Sequence, residues 1–128
     1  MNFMIMYVCD EMAMARMSPA ELDRIVAEKT KVHQELVGLG KDIMGVRLWP
    51  SATATRVSLE RGAIATVDGP FTETREVLGG FNLVRCASKA EAIEWAKKSL
   101  VFESAVTEVR PVWERCLCHG SFTCSSQV

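Results

Sequence analysis

Apolar positions along the chain fall into two periods, and the switches between them mark the elements. The run NFMIMYV, Asn2 to Val8, is continuous, rich in β-branched and aromatic residues and too short for a helix, so it predicts a buried strand ahead of the polar CDE. MSPAELDRIVAEKTKVHQELVGLGK then offers Ser18 as N-cap, Pro19 at the first helical position and Glu21 three residues on, with Gly38 and Gly40 to stop the helix. Leu22, Ile25, Val26, Val32, Leu36 and Val37 supply its apolar stripe. DIMGVRLWP, Asp42 to Pro50, predicts a second strand closed by its proline. TRVSLERGAIATVDG alternates on either side of Glu60-Arg61-Gly62 and predicts a hairpin, with Gly62 free to take a positive φ. GGFNLVRC, Gly79 to Cys86, is again strand-like, and SKAEAIEWAKKSL repeats the capping pattern with Ser88 and Glu91. AVTEVRPVWE, Ala105 to Glu114, completes the series as a strand whose Pro111 favours a sheet edge.

This order, β, α, β, a ββ hairpin, β, α, β, predicts an α+β domain with a ferredoxin-like antiparallel sheet and both helices on one face. The other face would then present its apolar residues to water. A homodimer that stacks two such sheets, a dimeric α/β barrel, is the expected remedy.

Composition narrows the classes. The chain has 128 residues, 48% hydrophobic and 24% charged, which suits one folded domain. Its formal charge is -1 and its basic residues are dispersed, so no nucleic-acid partner is expected. No apolar run approaches the roughly 20 residues of a membrane span, and the start lacks a signal-peptide pattern; no membrane partner is expected and a cytoplasmic location is. Five cysteines, Cys9, Cys86, Cys116, Cys118 and Cys124, point to reduced thiols rather than a disulfide framework.

The chemistry concentrates between Thr66 and Phe81, in TVDGPFTETREVLGGF. Gly69 and Pro70 build a turn, and Asp68 either accepts backbone amides there or lines a cleft as a general base. Glu73 and Arg75 form a surface pair, or else Arg75 turns inward to hold a ligand carboxylate with Glu73 orienting it. Gly79 and Gly80 permit a bulge or a close backbone approach. Tyr7 and Asp10, at the end of the first strand, are candidates to meet this loop, as is Phe71 within it. His33, on the long helix, has no second ligand at helical spacing, so neither heme nor any other cofactor is expected. The methionines at 4, 6, 12, 14 and 17 read as pliable filler, and Trp49, Trp95 and Trp113 as packing anchors. The tail from Arg115 to Val128 holds Cys116, Cys118, His119 and Cys124, but its C-x-C-H spacing is not that of a zinc site, and no metal is expected.

VDGPFTETREVLGGFNLV, together with NFMIMYVCDE, MSPAEL, EAIEWA and TEVRPV, resembles the YCII-related, DGPF-motif family of the dimeric α/β-barrel superfamily from Met1 to Glu114. Residues 115–128 lie outside the resemblance as a C-terminal extension. The resemblance implies a ferredoxin-like homodimer among small bacterial-type cytoplasmic proteins, described as enzymes without a settled substrate or linked to transcription regulation by sigma factors. Relatives in the wider superfamily include heme-binding and cofactor-free oxygenases and a lactone isomerase, and a His-Asp pair is the active site proposed for YCII proteins. Asp68, Gly69, Pro70, Phe71, Glu73, Arg75, Gly79 and Gly80 stand in the family's pattern. The leading expectation is a pocket for a small organic, anionic ligand lined by the DGPF loop, with Asp68 and Glu73 as acid/base candidates and Arg75, Phe71, Tyr7, Asp10 and His33 as ligand-binding ones. Whether the protein is an enzyme stays open, the alternative being a non-catalytic ligand- or protein-binding regulatory module linked to transcription.

Overall fold

The computed structural model describes residues 1–71 and 76–113. Strand β1 (Asn2–Asp10) leads into a one-turn helix α1 (Glu11–Ala15) and the long helix α2 (Pro19–Gly38). Strand β2 (Asp42–Arg47) follows, then a 3-10 turn at Ser51–Thr53 and the hairpin β3 (Thr55–Glu60) and β4 (Ala63–Asp68). Strand β5 (Glu76–Arg85), helix α3 (Lys89–Lys98) and strand β6 (Val106–Pro111) complete the described elements.

Both long helices start where their caps direct. The Ser18 hydroxyl accepts the Glu21 amide at 3.2 Å, and Ser88 accepts that of Glu91 at the same distance. The Glu91 carboxylate reaches back to the Ala87 amide at 2.8 Å, so two amides at the helix entry are satisfied reciprocally. The first helix, α1, was not predicted. Asp10 nucleates it by accepting the Ala13 amide at 3.1 Å, a cap too short-ranged to leave a periodic signature.

The main sheet is wholly antiparallel in the order β2-β5-β1-β6, which is the ferredoxin-like arrangement. Pro111 lies on an edge strand, where its missing N–H costs no ladder bond. The hairpin forms a separate two-stranded sheet, closed by Arg61 (φ 52°) and Gly62 (φ 78°). Two consecutive positive φ angles match the strand twist, and Gly62 carries the second without a side-chain clash.

Register sorts the sheet residues into two faces. Phe3 faces Val84, Ile5 faces Asn82 and Tyr7 faces Gly80, and this row lies beneath the helices. Phe3, Ile5, Val84 and Cys86 are buried there against Leu36 of α2 and Ala92, Trp95 and Ala96 of α3. The opposite row pairs Met4 with Leu83, Met6 with Phe81 and Val8 with Leu78, and β2 adds Met44. Among the described residues no helix covers it, and Met44 and Leu78 are 50% and 44% exposed. The hairpin is likewise open, with Val57, Leu59, Ile64 and Val67 exposed.

Three expectations need correction. β2 ends at Arg47; one more bond, from the Leu48 amide to the Gly79 carbonyl, follows before the 3-10 turn at Ser51–Thr53. Trp95 is a packing anchor, but among the described residues Trp49 and Trp113 stay 83% and 65% exposed, outside the core. The inward stripe of α2 is narrower than predicted: Val26 and Val37 are exposed, and Lys29 and His33 hold half-buried positions between Ile25 and Leu36. Among the described residues no helix is long and apolar enough to cross a membrane.

Candidate functional site

The described part of the DGPF segment anchors the hairpin. Asp68 is exposed at the end of β4, and its carboxylate accepts the hydroxyl of its cross-strand partner Thr55 at 2.7 Å. The Gly69 amide donates to Ala54 at 2.7 Å, and the Gly69-Pro70 bond is cis. A Cβ on Gly69 would stand 2.7 Å from the Ser51 carbonyl oxygen, so only glycine fits against that backbone. Ser51 is itself gripped by Glu11, which accepts its amide at 2.7 Å and its hydroxyl at 2.5 Å. The Arg56 guanidinium lies 3.7 Å from the centre of the Phe71 ring. The hairpin base is thereby tied to the start of α1. Asp10 lies beside this assembly as the α1 cap, and Glu73, Arg75 and the cysteine-rich tail fall outside the described residues.

Tyr7 takes another direction. Successive side chains of a strand point to opposite faces, so Tyr7 follows Phe3 and Ile5 under the helices. Its hydroxyl donates to Asn82 Oδ1 at 2.5 Å, and Asn82 is 8% exposed. The Asn82 amide donates to Asp42 Oδ1 at 3.3 Å and stands 3.4 Å from His33 Nδ1. His33 Nδ1 is 3.6 Å from Asp42 Oδ1, too far for a hydrogen bond but close for an ion pair. Their side chains are 44% and 13% exposed, so the ring is open to solvent while the carboxylate is nearly enclosed. Gly45 makes the space: a Cβ there would lie 2.7 Å from the Asn82 amide nitrogen and 3.3 Å from the imidazole.

This chain of groups can handle a proton. In neutral His33, Nδ1 accepts the second Asn82 N–H and Nε2 keeps its proton; in the cation, Nδ1 gains a proton and turns its attraction to Asp42. Burial, reinforced by the Asp42 charge and opposed by hydrogen bonding from Ser99, raises Tyr7 above the usual phenol range. Tyr7 therefore stays protonated and serves as a donor.

A second group of side chains adjoins the first. Lys29, one helical turn before His33, places its ammonium 4.5 Å from the Tyr7 ring centre and 5.9 Å from that of Phe102. Burial holds it below the usual lysine range, the Cys9 thiol opposes this, and the Arg47 charge adds to it. Burial pushes the half-buried Cys9 thiol up, while Lys29 and Arg47 pull it down and Glu11 pushes it up. Register sets Tyr7, Gly80 and Arg47 in one row across three strands, and a Cβ on Gly80 would collide with the Val46 carbonyl oxygen, so only glycine lets the β2 backbone approach there. Gly79 is the extra residue of a β-bulge between Tyr7 and Val8, and any Cβ on it would collide with the Cys9 sulfur. The double glycine of the motif thus borders the site that Asp68 does not reach. Lys29 and Asn82 were missed in the sequence because each looks like an ordinary surface or strand residue alone; the signal was a lysine spaced four from both Ile25 and His33 on the inward stripe.

The comparisons agree with this architecture. The YCII-related domain family matches residues 1–115. This chain belongs to that family. A further relative, an uncharacterised protein of Rhizobium meliloti (strain 1021), is 33% identical over 97 residues, covering 76% of this chain and 78% of its own length. Neither comparison names a substrate.

Proposed function

We propose that this YCII-related protein is a small acid–base enzyme, in which His33, set by Asp42 and Asn82, moves a proton on a small organic substrate while the Tyr7–Asn82 bond fixes the amide. The observation that carries this reading is the continuous chain Tyr7, Asn82, His33 and Asp42 in the middle of the helix-covered face, with the imidazole at its solvent-accessible end. Buried polar side chains cost stability unless they are paired, so a polar network interrupting an apolar face points to use. Asp68, occupied by Thr55 and open to solvent, supports the reading less well as the base.

Proton transfer next to a carbonyl exchanges hydrogen for deuterium, which makes a substrate-tolerant assay. Small 2-oxo acids and lactones in deuterium oxide, followed by proton NMR, should lose their α-proton signal in the presence of the wild-type protein. His33→Gln should slow this by about 100-fold, the lower range for a positioned acid–base group. Exchange at the wild-type rate in that variant would refute the assignment.

The reading includes a homodimer. The row of Met4, Met6, Val8, Leu83 and Met44 is an apolar face that helices do not cover, and a second copy stacked on it would remove that face from water. The free thiols of Cys9 and Cys86 suit a reducing cytoplasm. A regulatory binding module is a second reading, favoured by the exposed apolar side chains of the β3-β4 hairpin. It requires the hairpin variant Leu59→Lys to lose a partner while proton exchange is unaffected.

A further inference from the structure

We propose that Lys29 is the nucleophile of this site, its amine condensing with the carbonyl carbon of a small ketone or aldehyde to form an iminium ion. The use of that iminium in proton transfer rests on the acid–base reading above; the condensation itself stands without it.

Three observations converge on Lys29. It precedes His33 by four residues on α2, so the two Cβ atoms lie about 6 Å apart on one helix face. Tyr7 links the pair: the Lys29 ammonium lies 4.5 Å from the centre of its ring, and its hydroxyl bonds to Asn82, whose amide nitrogen is 3.4 Å from His33 Nδ1. Phe102, which follows α3, adds a second ring at 5.9 Å. Among the described residues no carboxylate lies within ion-pair distance of Lys29, whereas Lys31, Lys41, Lys97 and Lys98 each have one. Lys29 is half-buried and the His33 side chain is 44% exposed, so both stand where the helix-covered face meets water, and a small molecule meets them from solvent without an enclosed cavity.

A half-buried ammonium is costly without an anion beside it, and Lys29 has aromatic rings in that place. Burial holds it below the usual lysine range, which enlarges the share of neutral amine, the form whose lone pair attacks a carbonyl. The rings attract a cation, and the iminium is a cation as well, so their attraction carries over from the ammonium to the condensed product. In the condensation the neutral amine adds to the carbonyl carbon, and its proton ends on the carbonyl oxygen as a hydroxyl. The His33 imidazolium protonates that hydroxyl, water leaves and the carbon–nitrogen double bond forms. Neutral His33 then takes a proton from the adjacent carbon, and the iminium accepts the electron pair as an enamine. A lactone carbonyl forms no iminium, so 2-oxo acids and not lactones should undergo exchange.

Pyruvate with sodium cyanoborohydride traps the iminium, because hydride reduces the carbon–nitrogen double bond to a stable secondary amine. Peptide mass spectrometry should find roughly tenfold more of this adduct at Lys29 than at Lys31 and Lys97, whose side chains are 67% and 63% exposed. In the urea-unfolded chain the three lysines should take equal label. Lys29→Arg keeps the charge beside Tyr7 but cannot condense, and it should abolish exchange of the pyruvate protons in deuterium oxide. His33→Gln should lose exchange yet still label Lys29 ahead of Lys31, since it retains the amine. A wild-type protein that labels at Lys29 but exchanges nothing would sink the acid–base reading and leave the nucleophile standing. The proposal is overturned if folded Lys29 takes no more label than Lys31, or if Lys29→Arg exchanges pyruvate protons at the wild-type rate.

Discussion

Tyr7 and Asn82 allow the polar network to be tested as a network. Tyr7→Phe removes the donor to Asn82 Oδ1, a 2.5 Å bond, and leaves an acceptor unpaired in a residue 8% exposed. The lost bond and the stranded oxygen together should cost about 1–2 kcal/mol. Asn82→Leu strands the Tyr7 hydroxyl and removes the N–H given to Asp42 at 3.3 Å, for about 2–3 kcal/mol. In the double variant the Tyr7–Asn82 pair leaves neither atom unpaired, so the combined loss should fall short of the sum by about 1 kcal/mol. Urea unfolding at one fixed protein concentration measures this, with the midpoints shifting and the slope m constant. For a chain of this size each kcal/mol moves Tm by roughly 3–5 °C, so the thermal midpoints provide a check. Additivity within about 0.3 kcal/mol would mean that the two side chains are independent neighbours and would refute the argument.

Gly45→Ala puts a Cβ 2.7 Å from the Asn82 amide nitrogen, so it should abolish proton exchange and cost about 1–3 kcal/mol in urea unfolding. Gly69→Ala meets the Ser51 carbonyl at 2.7 Å; hydrogen exchange should quicken at the β3 and β4 amides while the main-sheet amides stay protected. Folding disfavours the protonated form of Lys29, a penalty complete below its lowered folded pKa, shrinking as pH rises through that value and gone above the ordinary 10.5. Lys29→Met should therefore raise Tm near neutral pH, with the gain fading toward about pH 11 in a melting series. Met44→Glu and Leu78→Glu, at side chains half exposed in the single chain, should leave its fold intact by circular dichroism and, because the proposed dimer stacks this face, shift sedimentation toward the monomer.

Sequence alone determined what depends on near neighbours. Ser18 with Glu21 and Ser88 with Glu91 announce two helices because a cap reads only three residues ahead. Arg61-Gly62 announces the hairpin because its backbone angles are local, and the double glycine announced a bulge or close approach for the same reason. Element order then restricted the fold to a ferredoxin-like sheet, since few connections of such elements bury one face. The site was legible only in pieces. Tyr7 and His33 were candidates, but Tyr7 was expected to meet the DGPF turn, whereas its hydroxyl bonds to Asn82, which is 75 positions away. The pairing of His33 with Asp42, and of Lys29 with Cys9 and Arg47, depends on how α2 lies across three strands. Spacing within a helix or strand specifies which residues share a face; only packing of those faces decides which of them meet, because contact between distant segments is set by the joint burial of all of them.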